Sequence, residues 1–375
     1  MQRIVLDGKI TLQDAELTVT KLSAAPEYLE PVILDLKYAS DIEIGAGPRI
    51  GNAIRRYASL NLDVVVPGPE NGKWRGNSAV NWKLFSRSGL GMAIASHAKA
   101  IHTLKEYITD EFRNYYLREI SNVGQNLVSI KDIHSIATMH AEDLDAFASL
   151  FYGYLPKVNV AASAFDHADL RSLVDLCREA ILNTKDHACR KPLPTDTRIL
   201  SYFSLRYYQD IPWISGAVGP FKQYLARLKP NSKPEEMLKN GYLEIIVNDD
   251  GVGIPARQSQ TEEVYWESKG AEESALIKAM QTGVSIKPLA MDAIIRGDPG
   301  YGFSIMADCL RNLRAFASIR SGRYLMVCDG TRTDPFSRAF SINRGQSSSH
   351  LGYLPGTLIQ AVIPIKSPQS TLGLR

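Results

Sequence analysis

The chain has 375 residues, 45% of them hydrophobic, enough to bury two cores rather than one. Its 43 lysines and arginines nearly balance 40 acidic residues, and the net charge of +3 argues against a dedicated nucleic-acid or membrane partner. The four cysteines, Cys177, Cys189, Cys309 and Cys328, lack Cys-x-x-Cys spacing. This excludes a disulfide framework or a zinc site and leads us to expect free thiols in a reducing cytoplasm.

The start, Met1-Gln-Arg-Ile-Val, carries no long apolar run, so no signal peptide is expected, and no later segment is long enough for a membrane helix. Residues 1–104 have an α/β rhythm of their own. Ile10-Thr-Leu and Glu16-Leu-Thr-Val-Thr read as strands, and Pro31-Val-Ile-Leu-Asp-Leu reads as a buried strand. A helix is predicted from Pro48 through Tyr57, with Ile50, Ala53, Ile54 and Tyr57 on one face. Leu62-Asp-Val-Val-Val follows as a strand, 68–76 as a polar turn, and Gly89 to Leu104 as a further helix. Residues 105–165 read as a helical connector, with Tyr107–Leu117 and Glu142–Tyr152 as its helices. No internal repeat or low-complexity tract is evident.

Leu170, Leu173, Val174, Cys177, Ala180 and Ile181 recur at helical spacing, so an amphipathic helix is predicted there. Glu179, Asn183 and His187 lie four residues apart and share one face. An Asn oxygen is a hard ligand suited to Mg²⁺ beside phosphates, and a Glu one turn earlier can polarise an attacking hydroxyl or water. The other reading of this face is a plain solvated one. Leu243-Glu-Ile-Ile-Val is a strand running into Asp249-Asp250-Gly251-Val252-Gly253. A carboxylate at that strand end can accept from an exocyclic amine, and Gly251 and Gly253 permit positive φ and close approach of a ligand. The alternative, a tight hairpin turn, is disfavoured by Pro255 and the polar run after it. A third segment, Gly300-Tyr-Gly302, opens a helix from Phe303 to about Leu313 and offers free N–H groups to phosphate. The last strand passes through Gly356-Thr357-Leu-Ile and ends at Ile363-Pro364.

In this order, Glu-x-x-x-Asn on a helix, Asp-x-Gly-x-Gly after a strand, Gly-x-Gly before a helix and a late Gly-Thr, the chain resembles the GHKL (Bergerat-fold) ATP-binding family. Within that family the helix and the run Gly302-Phe-Ser-Ile-Met306 look most like the bacterial anti-sigma-factor serine kinases, with histidine-kinase ATP-binding domains next. The resemblance implies a C-terminal α/β two-layer sandwich over 166–366. It implies ATP and Mg as cofactors, with Glu179 as catalytic base, Asn183 holding Mg²⁺ and Asp249 reading the adenine amine. Gly251, Gly253, Gly300 and Gly302 would shape the phosphate cradle, and Thr357 would support the base contact. Lys287 and Arg296 are candidate phosphate contacts in a presumed lid near 254–297, with 271–295 largely helical. His187 is read as a structural histidine. Asn183 and Asp249 are further apart than the compact kinases need, which suggests an insertion near 209–240 carrying a short basic helix from Phe221 to Leu228.

The first hundred residues share features with a STAS domain, through Val32-Ile-Leu-Asp-Leu, a helix and Leu62-Asp-Val-Val-Val. They lack the phosphorylatable Ser that STAS antagonists carry near Gly45, and a generic small α/β domain is the equal alternative. His134 and His140 do not sit in the context of a phospho-accepting histidine. The expected function is a cytoplasmic ATP-binding regulator with a protein partner, using Mg·ATP for slow hydrolysis or for switching. The alternatives are a serine/threonine kinase acting on a STAS-like partner and a non-enzymatic nucleotide-sensing module. A homodimer is compatible with the resemblance.

Overall fold

The structure, a computed structural model, describes residues 2–24, 31–43, 45–56, 61–66, 90–102, 110, 127–130, 143–187, 201–208, 218–228, 241–259, 269–281, 302–332, 340–343 and 353–365. The chain is mixed α/β and divides into two compact units: 1–122 with 214–216 and 349–355, and 123–213 with 217–348 and 356–375.

In the N-terminal unit, strands β1 (Gln2–Val5), β3 (Val32–Asp35), β5 (Leu62–Val65) and β6 (Ala100–His102) form one sheet in that order. Every neighbouring pair in it is parallel. β2 (Gly8–Ile10) and β4 (Ala39–Ile42) make a separate parallel pair. Helices α1 (Leu12–Ser23), α2 (Ala46–Arg56) and α3 (Leu90–His97) supply the crossovers that parallel pairing requires. Ile4, Leu34, Val64 and Ile101 point from alternate strand positions into a single core with Val19, Ile50, Ala53 and Ile94 of the helices.

Two local expectations are overturned here. Glu16–Thr20, read as a strand, lies inside α1. The Thr11 side chain accepts from Asp14 N–H, and the Asp14 carboxylate accepts from Thr11 N–H at 2.8 Å, a capping box that starts a helix. Glu43 adds a cap from a distant segment, accepting the Leu12 N–H at 2.8 Å. Leu12, Ala15, Val19 and Leu22 then bury one helical face, which outweighs the β-branched Thr and Val between them. The helix read from Gly89 to Leu104 stops early. Lys99 N–H donates to Leu62 O at 2.7 Å, and 100–102 join the sheet edge as β6.

The C-terminal unit carries a seven-stranded sheet ordered β12-β11-β10-β13-β9-β8-β7. Its strands are β7 (Leu127–Ile130), β8 (Ser201–Tyr208), β9 (Tyr242–Asp249), β10 (Phe316–Gly322), β11 (Tyr324–Asp329), β12 (Ser341–Ile342) and β13 (Leu354–Pro364). The pairs β7/β8, β8/β9, β9/β13, β10/β11 and β11/β12 are antiparallel. The helices are α4 (Leu144–Tyr152), α5 (His167–His187), α6 (Val218–Leu228), α7 (Ile254–Ser259), α8 (Lys269–Met280) and α9 (Gly302–Asn312).

Leu243, Ile245 and Val247 of β9 share a core with Leu173, Cys177, Ala180 and Ile181 of α5 and with Met306 and Leu310 of α9. Phe147 and Phe151 of α4 complete it. The stretch 105–165, read as a helical connector, therefore contributes a strand and a core helix to this unit. On β10, Phe316 alternates with the core residues Ala317 and Ile319, so it faces away from that core and meets Phe221 and Tyr224 of α6 at ring-centroid distances of 5.3 and 5.4 Å. The helix read inside the insertion is thus a packed element of this unit. Arg227 holds it to Asp329 of β11 at 2.6 Å, and Tyr224 OH donates to Arg314 O at 2.9 Å. The rest of 209–240 lies outside the described residues.

Candidate functional site

Two groups of sequence-predicted residues flank the core under the sheet. The first is built by α5 and α9. Leu173, Cys177, Ala180 and Ile181 bury one face of α5, which leaves Glu179 and Asn183 half-buried at its margin. Glu179 Oε1 stands 3.5 Å from an Arg178 guanidinium nitrogen. Gly302, the first residue of α9, lies directly against both side chains. A Cβ there would stand 3.1 Å from Asn183 Nδ2, 3.2 Å from Oδ1 and 3.4 Å from Glu179 Oε2. The glycine therefore provides room, letting a helix N-terminus approach a carboxylate and an amide. Asn183 Nδ2 is buried with no hydrogen-bond partner among the described residues. Such an orphan costs about 1–3 kcal/mol unless a ligand satisfies it.

The second group is built where β9, β13 and β10 end side by side. Asp249 is paired in register with Ser201 on one side and Thr357 on the other. Its Oδ1 accepts N–H groups from Gly251 at 2.9 Å and Thr357 at 3.2 Å. Burial pushes this carboxyl from its ordinary 3.8 up to about 7; the Gly251 and Thr357 N–H groups pull it down, and the neighbouring Asp250 charge pushes it up. Of the two glycines expected to take positive φ, only Gly253 does, at +84°. Gly251 instead serves through its N–H. At Gly253 a Cβ would come within 2.9 Å of Ser321 Oγ and 3.1 Å of Gly356 O. Gly356, at φ +81°, has the backbone of Asp249 where a Cβ would sit.

Sequence reasoning missed Ser321 and Glu272. The Ser321 hydroxyl accepts Ile254 N–H at 2.8 Å, donates to Gly356 O at 3.1 Å and lies 3.4 Å from Thr357 Oγ1. The Ser-Gly-Arg run between two apolar stretches signals a hairpin, and Gly322 does close a two-residue loop at φ +58°. Nothing in the sequence points to Glu272. Ile254, just after the second glycine, and Phe303, just after Gly302, both pack against the core that holds Ala180 and Ile181. Gly300, Lys287 and Arg296 lie outside the described residues, as does the side chain of His187.

The arrangement offers a hard amide oxygen, a carboxylate within one turn of it, a helix N-terminus and a buried proton-accepting group at a strand end. Among the described residues no three His, Cys, Asp or Glu side chains gather as a metal site. A cation at Asn183 would therefore share its shell with ligand oxygens and water, as Mg²⁺ does beside phosphates. Among the described residues no helix is long and apolar enough to cross a membrane. No family model, curated protein or solved structure matches the chain.

Proposed function

We propose that the C-terminal unit is a Bergerat-type Mg·ATP site and that the chain is an ATP-binding regulator. The observation that carries this reading is the packing of Gly302 against both Asn183 and Glu179. Two of the motif segments thus meet side by side, although 119 residues separate Asn183 from Gly302. The orphaned Asn183 Nδ2 fits a phosphate oxygen, while Oδ1 would hold Mg²⁺. Mg²⁺ bound there would screen the phosphate charge. Glu179 would orient and deprotonate the attacking water or hydroxyl, the first N–H groups of α9 would face the phosphates, and Asp249 would accept from the adenine amine. α6 makes the sandwich thicker than two layers over β10 and β11.

The phosphoryl acceptor is the point on which the kinase reading differs. Phe303 and Met306 carried the resemblance to the serine kinases. Met306 is fully buried in the core, and Phe303 packs edge-on against Phe340 at 5.8 Å. Both are packing residues, so they speak for the fold of α9 and not for a protein acceptor. Hydrolysis or switching is accordingly our first reading.

Titration calorimetry with Mg·ATP tests the site. The wild-type chain should bind, and Asp249→Ala should bind at least about a hundredfold more weakly, since it loses a charge-assisted hydrogen bond and leaves the Gly251 and Thr357 N–H groups unpaired. Equal affinity in the two proteins would remove Asp249 from the site. Labelled ATP with candidate partners then separates the outcomes: released phosphate alone supports hydrolysis, and a labelled protein supports the kinase.

A further inference from the structure

α8 contributes a carboxylate that stands apart from Glu179, Asn183 and Asp249. Glu272, in its first turn, is fully buried. Its Oε1 accepts the backbone N–H of Arg323 at 2.7 Å, and its Oε2 accepts from the Arg323 guanidinium at 2.8 Å. Gly322 makes the space, because a Cβ there would collide with Glu272 Oε1 and stand 3.3 Å from Pro255 Cγ. The hairpin itself does not need this acid, since a two-residue loop with a glycine at positive φ closes unaided. A buried carboxylate is costly unless it is well paired. Here the pairing joins a separate helix to the loop that carries Ser321, and Ser321 in turn touches Ile254, Gly356 and Thr357. Thr357 N–H ends the series on Asp249.

We propose that Glu272 is a positioning residue for the nucleotide base. By fixing Gly322-Arg323 to α8 it sets the place of Ser321, and through Ser321 it sets Gly356-Thr357 beside Asp249. This rests on the reading of the site as a nucleotide pocket. The helix between the two glycine segments is thereby tied to the base-reading end of the pocket.

The experiment titrates the full chain with adenosine and with Mg·ATP, as wild type, Glu272→Gln, Ser321→Ala and the double variant. Glutamine keeps the shape and can still accept the Arg323 N–H, but it loses the charge that faces the guanidinium. Both ligands should weaken by the same factor in Glu272→Gln, on the order of tenfold. Ser321→Ala should weaken both as well, and the double variant should lose little more than the larger single loss, because the two residues act in series. Unchanged adenosine affinity in Glu272→Gln overturns the proposal, whatever happens to Mg·ATP. Simple addition of the two losses also overturns it. If circular dichroism shows Glu272→Gln unfolded, Ser321→Ala decides alone, and unchanged adenosine affinity again counts against the proposal. A wild-type chain that binds neither ligand overturns the nucleotide reading itself, a failure distinct from a wild type that binds and variants that bind equally well.

Discussion

Asp249 combines full burial with two backbone donors on a single oxygen, and its carboxyl stands at about 7. Between its ordinary 3.8 and that value, the unfolded chain has lost this proton while the folded chain keeps it. The carboxyl therefore withdraws stability as pH rises through that window. An adenine amine favours the anion, so adenosine affinity should rise between about pH 6 and pH 8 and binding should release a proton. Calorimetry in two buffers of different ionisation enthalpy reads that proton directly. Asp249→Asn, which cannot ionise, should flatten the profile, and a wild-type affinity indifferent to pH would count against a base contact. Gly302 makes a second residue-scale case. Its Cβ would press on Asn183 and Glu179 without meeting backbone, so Gly302→Ala should fold normally. It should still displace the two side chains by tenths of an ångström and cost on the order of tenfold or more in Mg·ATP affinity. Adenosine, which carries no phosphate, should bind this variant as it binds the wild type.

Among the elements, α6 is the one whose role changes most between sequence and structure. As a helix within an insertion it would be dispensable. In the structure Phe221 is buried against Tyr224 and Phe316, and Arg227 pairs with Asp329. Phe221→Ala should therefore cost about 3–5 kcal/mol in urea unfolding, the loss expected of a core aromatic, whereas an appended helix would leave the midpoint unmoved. The elements that bear the motifs were legible from sequence because each joins a strong period to a local stop signal. α5 has its apolar stripe, β9 runs into Asp-Asp-Gly, and α9 opens on Gly302. α1 was misread because the β-branched Thr18, Val19 and Thr20 mask a helical stripe, Leu12, Ala15, Val19 and Leu22, that begins at the Thr11–Asp14 capping box. β7 was misread because a short strand is defined by its partner β8, more than seventy residues on. Glu272 was invisible for the same reason: a buried acid is recognised only by the Arg323 that it meets across the fold.

At the scale of the whole chain, the two units differ in how they are built. The N-terminal strands β1, β3 and β5 begin at residues 2, 32 and 62, a thirty-residue interval that the sequence did not announce. What recurs is aliphatic character, at Ile4, Leu34 and Val64 and again at Leu6, Leu36 and Val66, and packing tolerates such exchange without leaving identity to be read. All these residues belong to one core, while the described members of the proposed nucleotide site belong to strands, helices and the β9–α7 turn around the other. A ligand that binds only the folded C-terminal unit stabilises that unit by mass action, about 2.7 kcal/mol at a hundred times its dissociation constant. For a unit of this size that is a rise of roughly 5–10 °C in its midpoint. Differential scanning calorimetry of the full chain should therefore show two transitions, with Mg·ATP raising one and leaving the other in place. Phe221→Ala, which lies in the C-terminal unit, should lower the nucleotide-sensitive transition alone. If instead a single transition is seen and rises with Mg·ATP, the two cores unfold as one cooperative body, and the nucleotide stabilises both.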